Sequence, residues 1–292
     1  MTMAPSGHGR SIAVVGGGTM GVGIAYVFAA AGFKVWLVEP DDARAAVVGR
    51  ILSEVAVAGV KRGKLDEARR QWVVDAVQRR VAVRELPEAL DLVVETVPER
   101  LPLKHRVLAE IAARRPKLVA TNTSAISIDE LSQSVGDASI FLGMHFFNPV
   151  WSLPMVELVR GMRTSEAALT RAREFAGATG KTTITVRDVP GFATSRLDLI
   201  ASLEAIRMLQ DGVASASDID HAMVTAYRHP IGPLRLSDVV GLDVRLDIAR
   251  HLHSTLGDRY APPQLLQDLV AQGHLGQKTG KGFFDWPRAE AR

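Results

Sequence analysis

A histidine, a carboxylate and two runs of small polar residues are spaced so that they could carry chemistry. His145 lies in Gly143-Met144-His145-Phe146-Phe147-Asn148-Pro149 at the end of an apolar run, and Glu157 follows twelve positions later (157 − 145) on the next one. An imidazole is the side chain best matched to moving a proton near neutral pH. A carboxylate on its second ring nitrogen would fix the tautomer and stabilise the imidazolium once formed. A turn containing Pro149 would let the chain double back and bring Glu157 beside His145. Taken alone, these residues fit a packed core histidine equally well.

The second run is Thr121-Asn122-Thr123-Ser124-Ala125-Ile126, directly after another apolar stretch. In open α/β sheets ligands lie outside the carboxyl ends of the strands, so polar groups there would face the crevice. A hydroxyl-rich turn capping the next helix is the plainer account of the same residues. The third is Gly16-Gly17-Gly18-Thr19-Met20-Gly21, which fits G-x-G-x-x-G. In a dinucleotide site Gly16 would permit the tight turn, Gly18 would admit the pyrophosphate, and Gly21 would let helix and strand pack closely. The helix start would add free N–H groups and the positive end of its dipole. Glu39 closes the next strand 18 positions after Gly21 (39 − 21). There it can accept from the adenosine ribose hydroxyls and repel a 2′-phosphate, so NAD is expected rather than NADP.

These groups need a scaffold, and the hydrophobic pattern supplies one. Ser11 to Gly16 reads as a buried strand, Thr19 to Ala31 as a small-residue helix ended by Gly32, and Lys34 to Glu39 as a second strand. About forty residues of helical character follow, from Asp41 to Arg80, with Gly59 and Gly63 expected to separate two helices. Strand-like runs recur at Leu92–Glu95, Leu118–Thr121, Ile140–His145, Met155–Val159 and Thr182–Val186. Helices are expected at Leu103–Arg114 and Glu166–Ala178 between them. Beyond Pro190-Gly191 the remaining signals are helical: Leu197–Gln210, Ser217–Tyr227, Leu242–Leu256 and Pro263–Gln272. The fold class is therefore α/β, with a nucleotide-binding domain over 11–187 and an all-helical domain over 188–292.

Composition excludes several classes of function. Cysteine is absent, which removes disulfides, thiolate nucleophiles and zinc–thiolate sites. There is no H-E-x-x-H, so no metal is expected. His105, His221, His229, His251, His253 and His274 receive no role. A formal net charge of +3 without a block of like charge gives no nucleic-acid arm. No run reaches the roughly 18 apolar residues of a membrane span, and Met1–Arg10 has no apolar core of a signal peptide. A soluble, cytoplasmic protein with an unstructured leader is expected.

The segments together resemble the 3-hydroxyacyl-CoA dehydrogenase family. The match includes Gly16–Gly21, Glu95 to Glu99 with Lys104, Asn122-Thr123-Ser124, and His145-Phe146-Phe147-Asn148-Pro149 with Glu157. It continues through Pro190-Gly191-Phe192, Asp218-Ile219-Asp220, Pro230-Ile231-Gly232-Pro233 and Asp238–Asp243, and closes on Lys278-Thr279-Gly280-Lys281-Gly282-Phe283-Phe284. The resemblance implies a Rossmann-type domain that binds NAD, a helical C-terminal domain that pairs two subunits, and an acyl-CoA substrate. It implies His145 as general base oriented by Glu157, with Ser124 and Asn148 bonding the reacting oxygens. It places Met20 and Asn122 at the cofactor, Glu99 and Lys104 near the nicotinamide ribose, and Lys61 and Lys64 where relatives meet CoA. Relatives commonly carry Asn where this chain has Ser195, so substrate contact there would be rearranged or lost. An acyl-carrier-protein thioester, a gulonate-type sugar acid and a non-catalytic crystallin-like NAD-binding role remain alternatives on the same scaffold.

Overall fold

The structure is a computed structural model and describes residues 9–287, so most of the leader lies outside the described residues. The chain divides into two compact units, the first ending at Val189 and the second beginning at Pro190.

In the first unit the elements run β1 (Ser11–Val15), α1 (Thr19–Ala30), β2 (Lys34–Val38), α2 (Asp42–Lys61), α3 (Glu67–Ala76) and β3 (Val77–Arg80). They continue with β4 (Leu92–Glu95), α4 (Leu101–Ala112), β5 (Val119–Thr121), α5 (Ile128–Leu131), β6 (Phe141–Phe146), β7 (Met155–Arg160), α6 (Glu166–Ala178) and β8 (Thr182–Arg187). All eight strands form one sheet, ordered β3-β2-β1-β4-β5-β6-β7-β8. The first six are parallel; β7 runs antiparallel to β6, and β8 parallel to β7. Central strands with both faces covered can be apolar at every position, as Ile12–Val15 and Leu92–Val94 are, all of them buried. Helix α1 is buried from Gly21 to Ala29, and its small residues allow that close approach to the sheet. The connections after β1 and β4 leave in opposite directions, which opens a crevice at the carboxyl ends of these two strands.

Two expectations are corrected. The helical stretch does not reach Arg80: Val77–Arg80 is a parallel edge strand paired with β2. Its Gln78-Arg79-Arg80 half is polar because an edge strand needs no apolar cover, so no strand pattern is visible. Gly59 does not divide two helices but stays inside α2, where an added Cβ would meet the Tyr26 hydroxyl at 2.7 Å. The break is at Gly63, whose φ of +66° is the left-handed turn glycine tolerates.

The second unit is helical: α7 (Thr194–Gln210), α8 (Ala216–Ala226), α9 (Pro233–Val240), α10 (Leu242–Leu256) and α11 (Gln264–Ala271). Leu199, Leu203, Ile206, Leu234, Leu246, Leu252 and Leu266 fill its core. Helix α7 begins three residues before the apolar pattern does, which puts Ser195 on the helix's first turn. Helix α9 has too few residues for its period to show; Pro233 at its first position and the buried Leu234 mark it.

One buried carboxylate ties this unit's C-terminal segment down. Asp238 accepts from Phe283 N and Phe284 N, each at 2.9 Å, and from Trp286 Nε1 at 2.8 Å. It is 1% exposed, so truncation would strand three donors away from water. Asp238→Ala is expected to cost about 2–4 kcal/mol of stability, read as a lower urea midpoint.

Candidate active site

The loop after β1 and the loop after β4 build the first wall of the crevice. Gly16 has a φ of +114°, and its amide donates to Val38 O at 2.9 Å. Thr96 Oγ1 donates to Val15 O at 3.0 Å and Gly16 O at 2.9 Å, closing the turn from the β4 side. A Cβ on Gly21 would run into Gly16 O and lie 2.7 Å from Thr96 Oγ1, whereas one on Gly18 would meet nothing within 4 Å. The three glycines thus differ: two are demanded by packing, and the third faces open space at the start of α1. No side chain caps that helix start. An anion such as a pyrophosphate fits there.

Glu39 is buried at the end of β2. Its carboxylate accepts from Gly17 N and Asp41 N, both at 3.0 Å, so it holds the glycine loop. Asp41 in turn caps α2 by accepting from Arg44 N.

A second set of carboxylates organises the ends of β4 and β5. Lys104 Nζ is buried between Glu95, at 2.9 and 3.0 Å, and Glu99 at 3.1 Å. Glu95 also accepts from Thr121 Oγ1 at 2.7 Å and Val97 N at 2.6 Å. Glu99 accepts from the Thr123 hydroxyl, from Ser124 N at 3.0 Å and from Ala125 N at 3.2 Å. Burial raises the Glu99 pKa, but the Lys104 charge and the Thr123, Lys104 and Ser124 hydrogen bonds outweigh it and hold the carboxyl below its ordinary value. Asn122 Oδ1 accepts from Phe146 N at 2.9 Å, joining this loop to β6.

His145 and Glu157 are directly opposed in the antiparallel β6–β7 register. His145 Nδ1 is 3.0 Å from Glu157 Oε2, and the carboxylate is fully buried. Because a carboxylate accepts, Nδ1 carries the proton and Nε2 bears the ring's basic lone pair. The Phe147 ring tilts against the imidazole with centroids 4.6 Å apart. The strand after His145 leads into a cis Asn148–Pro149 bond and the turn that returns the chain as β7.

A cavity of about 370 Å³ brings these parts together. Met20, Thr96, Val97, Glu99, Lys104 and Asn122 line one side; Ser124, His145, Phe146, Phe147 and Asn148 complete it. Lys61, at the end of α2, and Lys64, in the turn beyond it, are exposed and do not line the cavity. Ser195 belongs to the second unit. Among the described residues no group of three or more His, Asp or Glu side chains is gathered to hold a metal ion. Sequence reasoning assigned no role to Glu95, Thr96 or Thr123. An acidic residue closing an otherwise apolar Leu92-Val93-Val94 run was the signal for the first; hydroxyls give none.

The glycine geometry separates folding from ligand binding. Gly21→Ala is expected to lower thermal stability by several degrees, because backbone must move to admit the methyl group. Gly18→Ala should melt near wild type yet bind NADH at least about tenfold more weakly, since the methyl would enter the open space at the helix start where an anion fits. Calorimetric melting and NADH fluorescence titration of the two variants check this.

Residues 11–189 match the family model described as 3-hydroxyacyl-CoA dehydrogenase, NAD binding domain, and residues 191–286 match the one described as 3-hydroxyacyl-CoA dehydrogenase, C-terminal domain. The 3-hydroxybutyryl-CoA dehydrogenase of Mycobacterium tuberculosis is 38% identical over 282 residues, covering 95% of this chain and 98% of that protein. The enzyme of the same name from Bradyrhizobium diazoefficiens is 37% identical over 291 residues, covering 96% and 97%. A crystal structure of (S)-3-hydroxybutyryl-CoA dehydrogenase from Ralstonia eutropha is similar with a TM-score of 0.90 at 35% identity, covering 96% of this chain and 99% of that one. With both family domains matched in order and relatives alike over nearly their full length, the chain belongs to the 3-hydroxyacyl-CoA dehydrogenase family.

Proposed function

We propose that the protein oxidises (3S)-3-hydroxyacyl-CoA to 3-oxoacyl-CoA with NAD, and runs the reverse reduction, on short acyl chains such as 3-hydroxybutyryl-CoA. The observation that carries this reading is His145, paired with the buried Glu157 and lining the same cavity as Met20, Glu99 and Lys104. When bound, NAD accepts the hydride that leaves C3 of the substrate.

The chain's own residues do the rest. Nε2 of His145 takes the proton of the 3-hydroxyl as the C3–H bond breaks, and Glu157 stabilises the imidazolium through Nδ1. In the reduction the imidazolium returns that proton to the developing alkoxide. Asn148 and Ser124, on the cavity wall, donate to the oxygen as its charge changes. Gly16, Gly18, Met20, Gly21 and Glu39 hold the adenosine and pyrophosphate side of the cofactor; Glu99, Lys104 and Asn122 hold the nicotinamide side. Phe147 against the imidazole favours an apolar acyl neighbour over a polyol such as a sugar acid.

Lys61 and Lys64 are assigned to the CoA phosphates as exposed cations on the helical insert. The helical unit is assigned to pairing two subunits, supported by Leu197, Val213 and Tyr227, which stand exposed on it. No helix among the described residues is long and apolar enough to cross a membrane. A cytoplasmic location remains the reading of the cysteine-free sequence.

NADH oxidation with acetoacetyl-CoA should be measurable in the wild type and fall by about 10³-fold in His145→Ala. Wild-type NADH binding without turnover would point to a carrier-protein thioester or a sugar acid instead. Ser195→Ala should change kcat/KM for at least one acyl chain length; an unchanged value across acyl-CoA substrates would remove Ser195 from the substrate site.

A further inference from the structure

We propose that the Glu95–Lys104–Glu99 cluster sets the site's preference between oxidised and reduced cofactor, by leaving one uncompensated negative charge beside the nicotinamide. The proposal rests on the cofactor placement given above. Hydride passes between the nicotinamide ring and a carbon whose oxygen lies within reach of His145. The ring must therefore lie in the cavity that His145 shares with Glu99 and Lys104.

The charges on that wall do not cancel. Lys104 is the one Lys or Arg among the residues lining the cavity, and two carboxylates share it. Glu99 sits at the rim, half in solvent, whereas Glu95 is fully buried. Lys104 Nζ, Thr121 Oγ1 and Val97 N all donate to Glu95, the environment a charged carboxylate requires and a neutral acid does not. The Glu95–Lys104–Glu99 cluster therefore carries a net charge of about −1 in a wall where burial weakens screening. Glu157 lies outside this cluster, paired with Nδ1 of His145 at 3.0 Å.

The two cofactor forms differ by one positive charge on the nicotinamide and share their adenosine, pyrophosphate and riboses. Contacts to the shared parts cancel in the ratio of their dissociation constants, so the ratio reads the charge at the ring. A surplus carboxylate tightens the oxidised form selectively, by about tenfold for one partly screened charge at this range. That shift lowers the two-electron potential of the bound couple by about 30 mV. Reduction of the 3-oxo group then restores a cation facing Glu95 and Glu99, so the balance on the enzyme moves toward the 3-hydroxy product.

The test measures Kd for NADH by fluorescence and for NAD by calorimetry, on the full chain and three variants. Glu95→Gln and Glu99→Gln each remove one negative charge and should raise Kd(NAD)/Kd(NADH) by about tenfold. Thr121→Val loosens the same network without changing its charge and should leave the ratio within about twofold. If Glu95→Gln fails to fold, the half-exposed Glu99→Gln decides the outcome by the same ratio. Equal weakening of both cofactor forms, or an equal shift from Thr121→Val, would overturn the proposal by reducing the cluster to a structural prop. Wild-type protein that binds neither form would overturn the cofactor placement itself, and the proposal with it.

Discussion

A carboxylate taken out of water must be surrounded by donors, and this site is assembled from carboxylates that meet that demand. Parallel strands end on backbone amides that the sheet no longer pairs, and the loops beyond them are half-buried by the neighbouring strands. Glu39 takes the amides of Gly17 and Asp41. Glu95 takes that of Val97, and Glu99 those of Ser124 and Ala125. Each acidic residue thereby ties one loop to another, and the loops so tied form the first wall of the cavity. A neutral side chain of similar shape would satisfy fewer donors and leave an orphaned polar group, at a cost of about 1–3 kcal/mol each.

The opposite wall depends on a change of strand direction. Strand β7 returns antiparallel to β6, so side chains face each other in direct register and His145 meets Glu157 with no intervening element. A parallel continuation would have needed a crossover helix and would have carried Glu157 away from the imidazole. The turn between the two strands is itself fastened: Lys181 Nζ donates to Val150 O at 2.5 Å and to Leu153 O at 2.6 Å, and the Trp151 ring packs edge-on against Tyr26 of α1. The helix that begins at the glycine turn thus braces the loop that carries Asn148. The glycine turn and the strand end that carries His145 are held by one packed core.

Charge is distributed with the same economy. Glu99 and Lys104 line the cavity with His145, and the fully buried Glu95 and Glu157 pair with Lys104 and His145 behind them. Two charged groups result, the His145–Glu157 pair and the Glu95–Lys104–Glu99 cluster. Preorganised charge of this kind requires no rearrangement during the reaction, which is where electrostatic stabilisation is most effective.

Much of this was legible in residue order. The glycine spacing after an apolar strand, the acidic residue closing the next one, and the change from α/β alternation to helices near Pro190 follow from local periodicity and backbone freedom, which are properties of short segments. The candidate site residues were legible for the same reason: His145 closes a strand, Ser124 and Asn148 follow strand ends, and Glu157 lies on the next strand. What residue order left open was contact between distant segments. His145 read equally well as a core residue until strand pairing set Glu157 against it. Lys104 read as a cofactor ligand, and only packing showed its ammonium shared between two carboxylates. The edge strand at Val77–Arg80 was invisible because its pattern is that of an exposed segment, and its identity came from pairing with β2. Local sequence determined the glycine turns, the apolar strands and the candidate reactive groups of this protein; the tertiary structure decided the polar edge strand, and which groups share a proton and which share a charge, because those energies exist only once segments far apart in the chain are brought within hydrogen-bonding distance and out of water.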